Sequence, residues 1–188
     1  MTAVVSPKIV SLPSSYASAV DDDVSPSASL KLLHTYNIYY HLPTDPSWTL
    51  SSYKIISSIS TVNELISLNE NIPDPIVKYC MLFVMKSGIA PMWEDPRNKR
   101  GGCFSYKIYN KMVVSIWKQL VYAFCGGTLM VERENMKYVN GITISPKKHF
   151  CIMKIWIENM NLQNPDSVIL IENLNKAGVL FKSHTGGE

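Results

Sequence analysis

The sequence is poor in the features that would commit it to metal, disulfide, membrane or catalytic chemistry. Its four cysteines (Cys80, Cys103, Cys125 and Cys151) lie far apart with no Cys-x-x-Cys pair. That spacing argues against a zinc site or a small disulfide scaffold and leaves reduced thiols. Cys80 and Cys151 sit in apolar runs and are expected in the core. No apolar run approaches the roughly 20 residues that span a bilayer. The N-terminus lacks the basic start and apolar block of a secretory signal, so a cytoplasmic protein without a membrane role is expected. Enzyme signatures are missing as well. There is no Gly-x-Ser-x-Gly, no His-Glu-x-x-His and no phosphate-binding glycine loop followed by Lys-Ser/Thr. His34, His41, His149 and His184 are scattered with no nucleophile motif nearby. Glu94 and Asp95 are adjacent, whereas a catalytic carboxylate pair must oppose across a substrate. Binding rather than catalysis is expected, with no metal and no cofactor.

Basic charge is present but thin. The net charge is +3; Lys8 against Asp21, Asp22 and Asp23 gives residues 1–30 a charge of −2, leaving +5 on residues 31–188. This is a mild bias towards an anionic partner, without the dense patches that grip long nucleic acid non-specifically. With 188 residues, 46% of them hydrophobic, the chain fits a single domain with a sizeable core. Residues 1–30, rich in Ser, Pro, Ala and Val, read as a flexible tail. Residues 31–188 read as the domain.

Within that domain, Tyr36, Ile38 and Tyr40 alternate in a strand over Leu32–His41, and a Pro-rich loop delivers Trp48 before a second strand, Tyr53–Ile59. Thr61 and Glu64 form a capping box that opens a helix over Thr61–Asn71. Tyr79–Lys86 and Cys103–Tyr109 read as strands. Asn110 is placed to cap a helix over Lys111–Cys125, which Gly126-Gly127 ends. Gly141–Ser145 and Phe150–Ile157 are strands joined by a Pro146–His149 turn. Asn164-Pro165 starts a third helix reaching about Ala177, although Val168–Ile171 reads equally well as a strand. Val179–Lys182 closes the series. The order implies an α+β fold: a curved antiparallel sheet with about three helices on its convex face.

The stretch from Ile89 to Gly102 (IAPMWEDPRNKRGG) is the most informative in the chain. It sets an aromatic plate beside a carboxylate on a loop ending in cations and glycine. Burying Trp93 would drag Glu94 and Asp95 inward at considerable cost, so exposure for binding is expected. An indole face attracts a flat cationic purine by stacking and cation–π forces. A carboxylate can accept the paired N1–H and N2–H of a guanine, and nearby cations suit its phosphates. Trp48 admits two readings, a core aromatic at a sheet edge or a ligand plate. Trp117 lies on the apolar stripe of a helix and reads as core. Trp156 points to the opposite face from Ile155 and Ile157, towards either a core or a ligand. Lys147 and Lys148 read as solvated turn lysines unless Trp156 faces a ligand, in which case they are close enough to supply phosphate cations.

From about Leu32 to His184 these elements resemble the cap-binding translation initiation factors of the 4E type. The likeness is carried by Gly88–Gly102, by Ser60-Thr61-Val62 with Trp48 upstream, and by Ile155-Trp156 after a basic hairpin; all four tryptophans fall on tryptophan positions of the family pattern. The resemblance implies a cupped-hand sheet and a protein that binds the 7-methylguanosine cap of mRNA and recruits capped RNA for translation initiation. Trp48 and Trp93 would sandwich the base, with Glu94 accepting N1–H and N2–H. The Trp93 backbone N–H would meet O6, and Trp156 the methyl group. Lys147 matches a phosphate-binding arginine, while two other expected cations are Cys103 and Ile152 here, leaving Lys148 or His149 to compensate. A scaffold or regulatory protein is implied on the helical back face, at Val62, Ile66, Lys118, Gln119 and Tyr122, on a monomer. There Ile66 stands for a tryptophan, Lys118 for a leucine and Gln119 for an acid, so the partner is expected to bring an acid to Lys118. The chain is thus a divergent relative with a short segment after the last strand. Two alternatives remain: a cap-binding repressor that does not engage the usual scaffold, and an interaction module that no longer binds caps. Intact Trp48, Trp93, Glu94 and Trp156 weigh against the second.

Overall fold

Alternation of apolar and polar residues builds one sheet with two unlike faces. The computed structural model describes residues 29–185; the expected tail over residues 1–30 lies almost wholly outside the described residues. Seven strands run β1 (Lys31–His41), β2 (Lys54–Thr61), β3 (Met81–Lys86), β4 (Gly102–Tyr109), β5 (Val139–Pro146), β6 (Phe150–Ile157) and β7 (Leu180–Ser183). They pair antiparallel throughout in the order β2-β1-β3-β5-β6-β4-β7. Among the described residues four α-helices accompany them: α1 (Val62–Asn71), α2 (Asp74–Tyr79), α3 (Pro96–Lys99) and α4 (Val113–Cys125). This is the α+β architecture expected from the sequence.

One face of the sheet meets α1, α2 and α4 in the main core. Tyr36 and Ile38 of β1, Phe104, Tyr106 and Ile108 of β4, and Cys151, Met153, Ile155 and Ile157 of β6 all turn to it. Trp117 of α4 is buried there, as its place on the apolar stripe predicts. The opposite face carries a second, smaller core of Tyr53, Phe83, Met85 and Ile89. That satellite core becomes the floor of the site.

The capping box forms as the sequence predicts. Thr61 Oγ1 accepts from Glu64 N at 3.3 Å, and Glu64 Oε2 accepts from Thr61 N at 3.0 Å and Ser60 N at 2.7 Å. These hydrogen bonds to the ionised form hold the Glu64 carboxyl below its ordinary range.

Two expectations are corrected. Asn110 does not cap α4. It lies in a 3-10 turn (Asn110–Met112) that leads into the helix, and its side-chain oxygen faces the Cys151 thiol at 3.9 Å. The expected helix over 165–177 is a single 3-10 turn, Pro165–Ser167, followed by irregular chain with one bridge from Val168 to Met130. Asparagines explain the failure. Asn164 and Asn175 side chains accept from backbone N–H groups two residues on, competing with helical hydrogen bonds, and Asn173 adopts a left-handed φ of 65°. Val168, Ile171 and Leu174 still reach the core, which accounts for the helix-like spacing. The helices α2 and α3, six and four residues long, were not read from the sequence because neither is long enough to show a period.

Thr61→Ala should lower stability by about 1 kcal/mol, a fall of roughly 2–4 °C in melting temperature for a domain of this size. Thr61→Ser should recover most of the loss. A thermal scan in which the alanine variant melts with the parent would show that the box contributes nothing.

Candidate ligand slot on the concave face

Two loops and three strands, β3, β5 and β6, converge over the satellite core to form a cavity of about 210 Å³. It is lined by Trp48, Tyr53, Met81, Phe83, Pro91, Met92, Trp93, Thr143, Ser145, Lys154 and Trp156. Three of the four tryptophans therefore meet in one place, although 45 residues separate the first two along the chain. Trp48 and Trp93 are about half exposed, at 52% and 49%, whereas Trp156 is 6% exposed and forms part of the floor. Large aromatics held open to solvent on loops need anchoring, and each has its own.

Trp48 rests on a histidine. The His41 ring lies parallel to the indole, with centroids 4.3 Å apart and planes 4° apart. His41 is fully buried, and its Nε2 donates to the Ser47 carbonyl at 2.7 Å, which leaves Nδ1 without a hydrogen-bond partner. Tyr53 packs edge-on to Trp48 and Phe83. The loop closes with Ser47 N donating to Asp45 Oδ1 at 2.9 Å. One face of Trp48 is thus covered by imidazole, so that a ligand ring entering the slot has the other to stack on.

Trp93 is held through Asn98, which is buried behind it. The Asn98 amide donates to the carbonyls of Ala90 (3.0 Å) and Met92 (2.9 Å), and its Oδ1 accepts from Asn140 Nδ2 at 3.0 Å. Asp95 caps α3 by accepting from Arg97 N at 2.9 Å, while its other oxygen accepts from Ala90 N at 2.8 Å. His184 Nδ1 donates to the Asn98 carbonyl at 2.8 Å and stacks at a tilt on Trp156, centroids 4.8 Å apart. Burial lowers the His184 pKa, with the nearby charge of Lys154 adding to it. Gly101 lets the loop re-enter the sheet, since a Cβ there would lie 1.9 Å from the Ile157 carbonyl oxygen. The carboxylate of Asp95 is therefore structural, and only Glu94 of the adjacent pair is exposed. Glu94 does not line the cavity itself. Its charge lies close enough to add to burial in pushing the Tyr53 hydroxyl up to about 12.

Trp156 Nε1 donates to Thr143 Oγ1 at 3.3 Å, which fixes its ring across the floor. The cation in the slot is Lys154, on the same face of β6 as Trp156. Lys147 and Lys148 lie exposed at the far end of the β5–β6 hairpin and do not line the cavity. Neither His41 nor Lys154 was picked out from the sequence. The alternation that sends Trp156 away from Ile155 sends Lys154 the same way, so that signal was present; the stacking of His41 on Trp48 leaves no trace in spacing. Neither a long apolar helix nor a metal-binding cluster of His, Cys, Asp or Glu occurs among the described residues.

On the back face, Ile66 is 47% exposed. Lys118 differs from expectation. Its ammonium already meets an acid of this chain, Glu70, at 2.8 Å, and Tyr122 donates to the same carboxylate at 2.7 Å. Gln119 is occupied with Ser115.

Comparison with known proteins places this geometry. The pattern of the family described as Eukaryotic initiation factor 4E matches residues 31–185. A 4E homolog of Acanthamoeba polyphaga mimivirus is 30% identical over 169 residues, covering 79% of this chain and 58% of the relative, so the chain spans little more than half of that protein. The initiation factor 4E of Saccharomyces cerevisiae is 25% identical over 147 residues, covering 72% of this chain and 67% of the yeast protein. Among solved structures, a schistosome eIF4E complexed with m7GpppG and 4E-BP superposes with a TM-score of 0.64 at 20% identity, covering 72% of this chain and 75% of that one. Ascaris suum eIF4E-3 with m7G cap gives 0.63 at 19% identity, covering 72% and 77%. These likenesses establish the cupped-sheet fold, and the match over residues 31–185 establishes the family: the chain belongs to the eukaryotic initiation factor 4E family.

Proposed function

We propose that this chain is a non-enzymatic, cytoplasmic cap-binding protein that holds the 7-methylguanosine cap of mRNA in the concave slot and recruits capped RNA for translation initiation. The observation that carries the reading is the convergence of two half-exposed indoles, Trp48 and Trp93, on one cavity floored by Trp156. Methylation at N7 makes the guanine cationic. A ring between two indoles then gains roughly 1–3 kcal/mol per stacked face, with about 1–2 kcal/mol more from cation–π attraction once desolvated. Glu94 accepts N1–H and N2–H, the Trp93 backbone N–H serves O6, and Trp156 lies against the methyl group. Lys154 meets the phosphates as they leave the base, with Lys147 and Lys148 as outer cations on the hairpin. Relatives solved with a cap dinucleotide or m7G cap support the same ligand class.

The back face is proposed as the docking surface for a scaffold or regulatory protein, through Val62, Ile66, Lys118, Gln119 and Tyr122; a schistosome relative was solved with 4E-BP. The internal Glu70–Lys118–Tyr122 cluster makes the surface more polar than apolar anchors alone would. That favours a second reading, a cap-binding repressor that does not engage the usual scaffold.

Retention on immobilised 7-methyl-GDP tests the proposal: free methylated nucleotide should elute the chain and unmethylated GDP should not. Equal elution by both would overturn it. Trp93→Ala and Trp48→Ala should each weaken 7-methyl-GDP binding by about tenfold or more with the fold retained, since both indoles are about half exposed. Wild-type affinity in either folded variant would sink the sandwich. In Glu94→Gln one acceptor becomes a donor that repels the guanine edge, so affinity should fall further than the change in volume suggests. A titration matching wild type would mean the edge is read elsewhere.

His41 should act through Trp48. His41→Ala should weaken nucleotide binding several-fold, and His41→Phe, which keeps a flat ring under the indole, should restore most of it. In a Trp48→Ala background the same changes should have almost no effect, as a double-mutant cycle reads directly. Equal losses in both backgrounds would show that His41 only supports the fold.

A further inference from the structure

Strand register gathers lysines on the concave face that are widely spaced in the sequence. Antiparallel partners share a face, so the pairing of β4 with β6 and β7 fixes which side chains flank the slot. Trp156 pairs with Cys103, which pairs with Lys182; Lys154 pairs with Ser105; and Ile152 pairs with Lys107. Phe104, Tyr106, Ile108, Met153 and Ile155 turn to the helical core, so these residues all turn the other way. Each position where the family resemblance expects a cation and finds none thus has a lysine as its direct cross-strand neighbour: Lys182 beside Cys103, and Lys107 beside Ile152. Lys154 lies between the two rows.

With strands about 4.8 Å apart and about 3.3 Å of rise per residue, the backbone of Lys154 is about 8 Å from that of Lys107 and about 12 Å from that of Lys182. None of the three forms an ion pair among the described residues, whereas Lys78, Lys118 and Lys176 each have a carboxylate partner. The Lys107 ammonium is held 4.6 Å over the Phe150 ring instead. Ser105 and Thr143 flank Lys154 with hydroxyls, and Thr143, which accepts from Trp156, keeps its own proton free to donate. A group of like charges without counter-charges repels itself and is compensated by an anionic ligand.

We infer that the nucleotides after the cap leave the slot sideways, with their phosphates crossing β6 and β4 towards β7 over Lys154, Lys107 and Lys182, and that Lys147 and Lys148 on the β5–β6 hairpin are left to the cap's own phosphates. The inference rests on the proposed cap reading and adds a path for the nucleotides that follow the cap. The ligand class is a single-stranded RNA backbone contacted by charge and hydroxyls, with no base readout.

The test compares dissociation constants for 7-methyl-GMP and a capped RNA pentanucleotide within each variant, so that a folding defect common to both cancels in the ratio. The wild-type chain should bind the capped oligonucleotide more tightly. Lys107→Met/Lys182→Met should cut that gain by about fivefold or more and flatten the log–log salt slope by about 1.4, at about 0.7 per lost phosphate contact on a single strand. Lys147→Met/Lys148→Met should cost less. An unchanged ratio in the first variant, or the larger loss in the second, overturns the route. A wild-type chain that binds 7-methyl-GMP but gains nothing from the added nucleotides overturns the inference alone. One that binds neither ligand overturns the cap reading with it.

Discussion

The two-residue alternation along β6 is the constraint on which the rest of the concave face depends. Cys151, Met153, Ile155 and Ile157 are locked into the main core, so Ile152, Lys154 and Trp156 must face the other way. A slip of one residue would put a lysine and an indole against α4 and four core side chains into water, which makes the register expensive to change. Because β6 is central, with β5 on one side and β4 on the other, its register also sets where Thr143, Ser105 and Cys103 stand. The floor of the slot and the lysines beside it are consequences of packing on the far side of the sheet.

The slot pairs exposed aromatic plates with buried polar anchors. Trp48 and Trp93 have solvent on much of their surface, and loops would let them wander. His41 beneath one and Asn98 behind the other are buried groups whose hydrogen bonds end on backbone carbonyls of the loops. Ordering the plates before a ligand arrives lowers the entropic cost of binding. Asp95 shows the same division of labour beside Glu94: one carboxylate is consumed in holding the loop, and its neighbour stays free for a ligand.

Much of this was legible in the sequence. Every strand was read within a residue or two, because each has one buried face and shows it as alternation or as a continuous apolar run. The capping box placed α1, and the apolar stripe placed α4. Trp93 was recognised as exposed from the charges around it. What escaped depends on contacts between distant segments. The stacking of His41 on Trp48 spans a Pro-rich loop with no period of its own. Lys107 and Lys182 share the concave face with Lys154 only through cross-strand pairing. Residues 165–177 misled because the spacing of Val168, Ile171 and Leu174 fits a helix while Asn164 and Asn175 on either side hydrogen-bond to the backbone locally and Asn173 turns left-handed. On the back face, Glu70 answers Lys118 from a different helix, a contact that neither helix shows alone.

The central claim is that one flat cationic base fits between Trp48 and Trp93. A crystal structure of the chain with 7-methyl-GDP tests it most directly. The account predicts the methylated ring stacked between the two indoles, its N1 and N2 edge on the Glu94 carboxylate and its phosphates leading to Lys154. A nucleotide bound anywhere else, or a slot in which the indoles close on each other and leave no space for a ring, would contradict it.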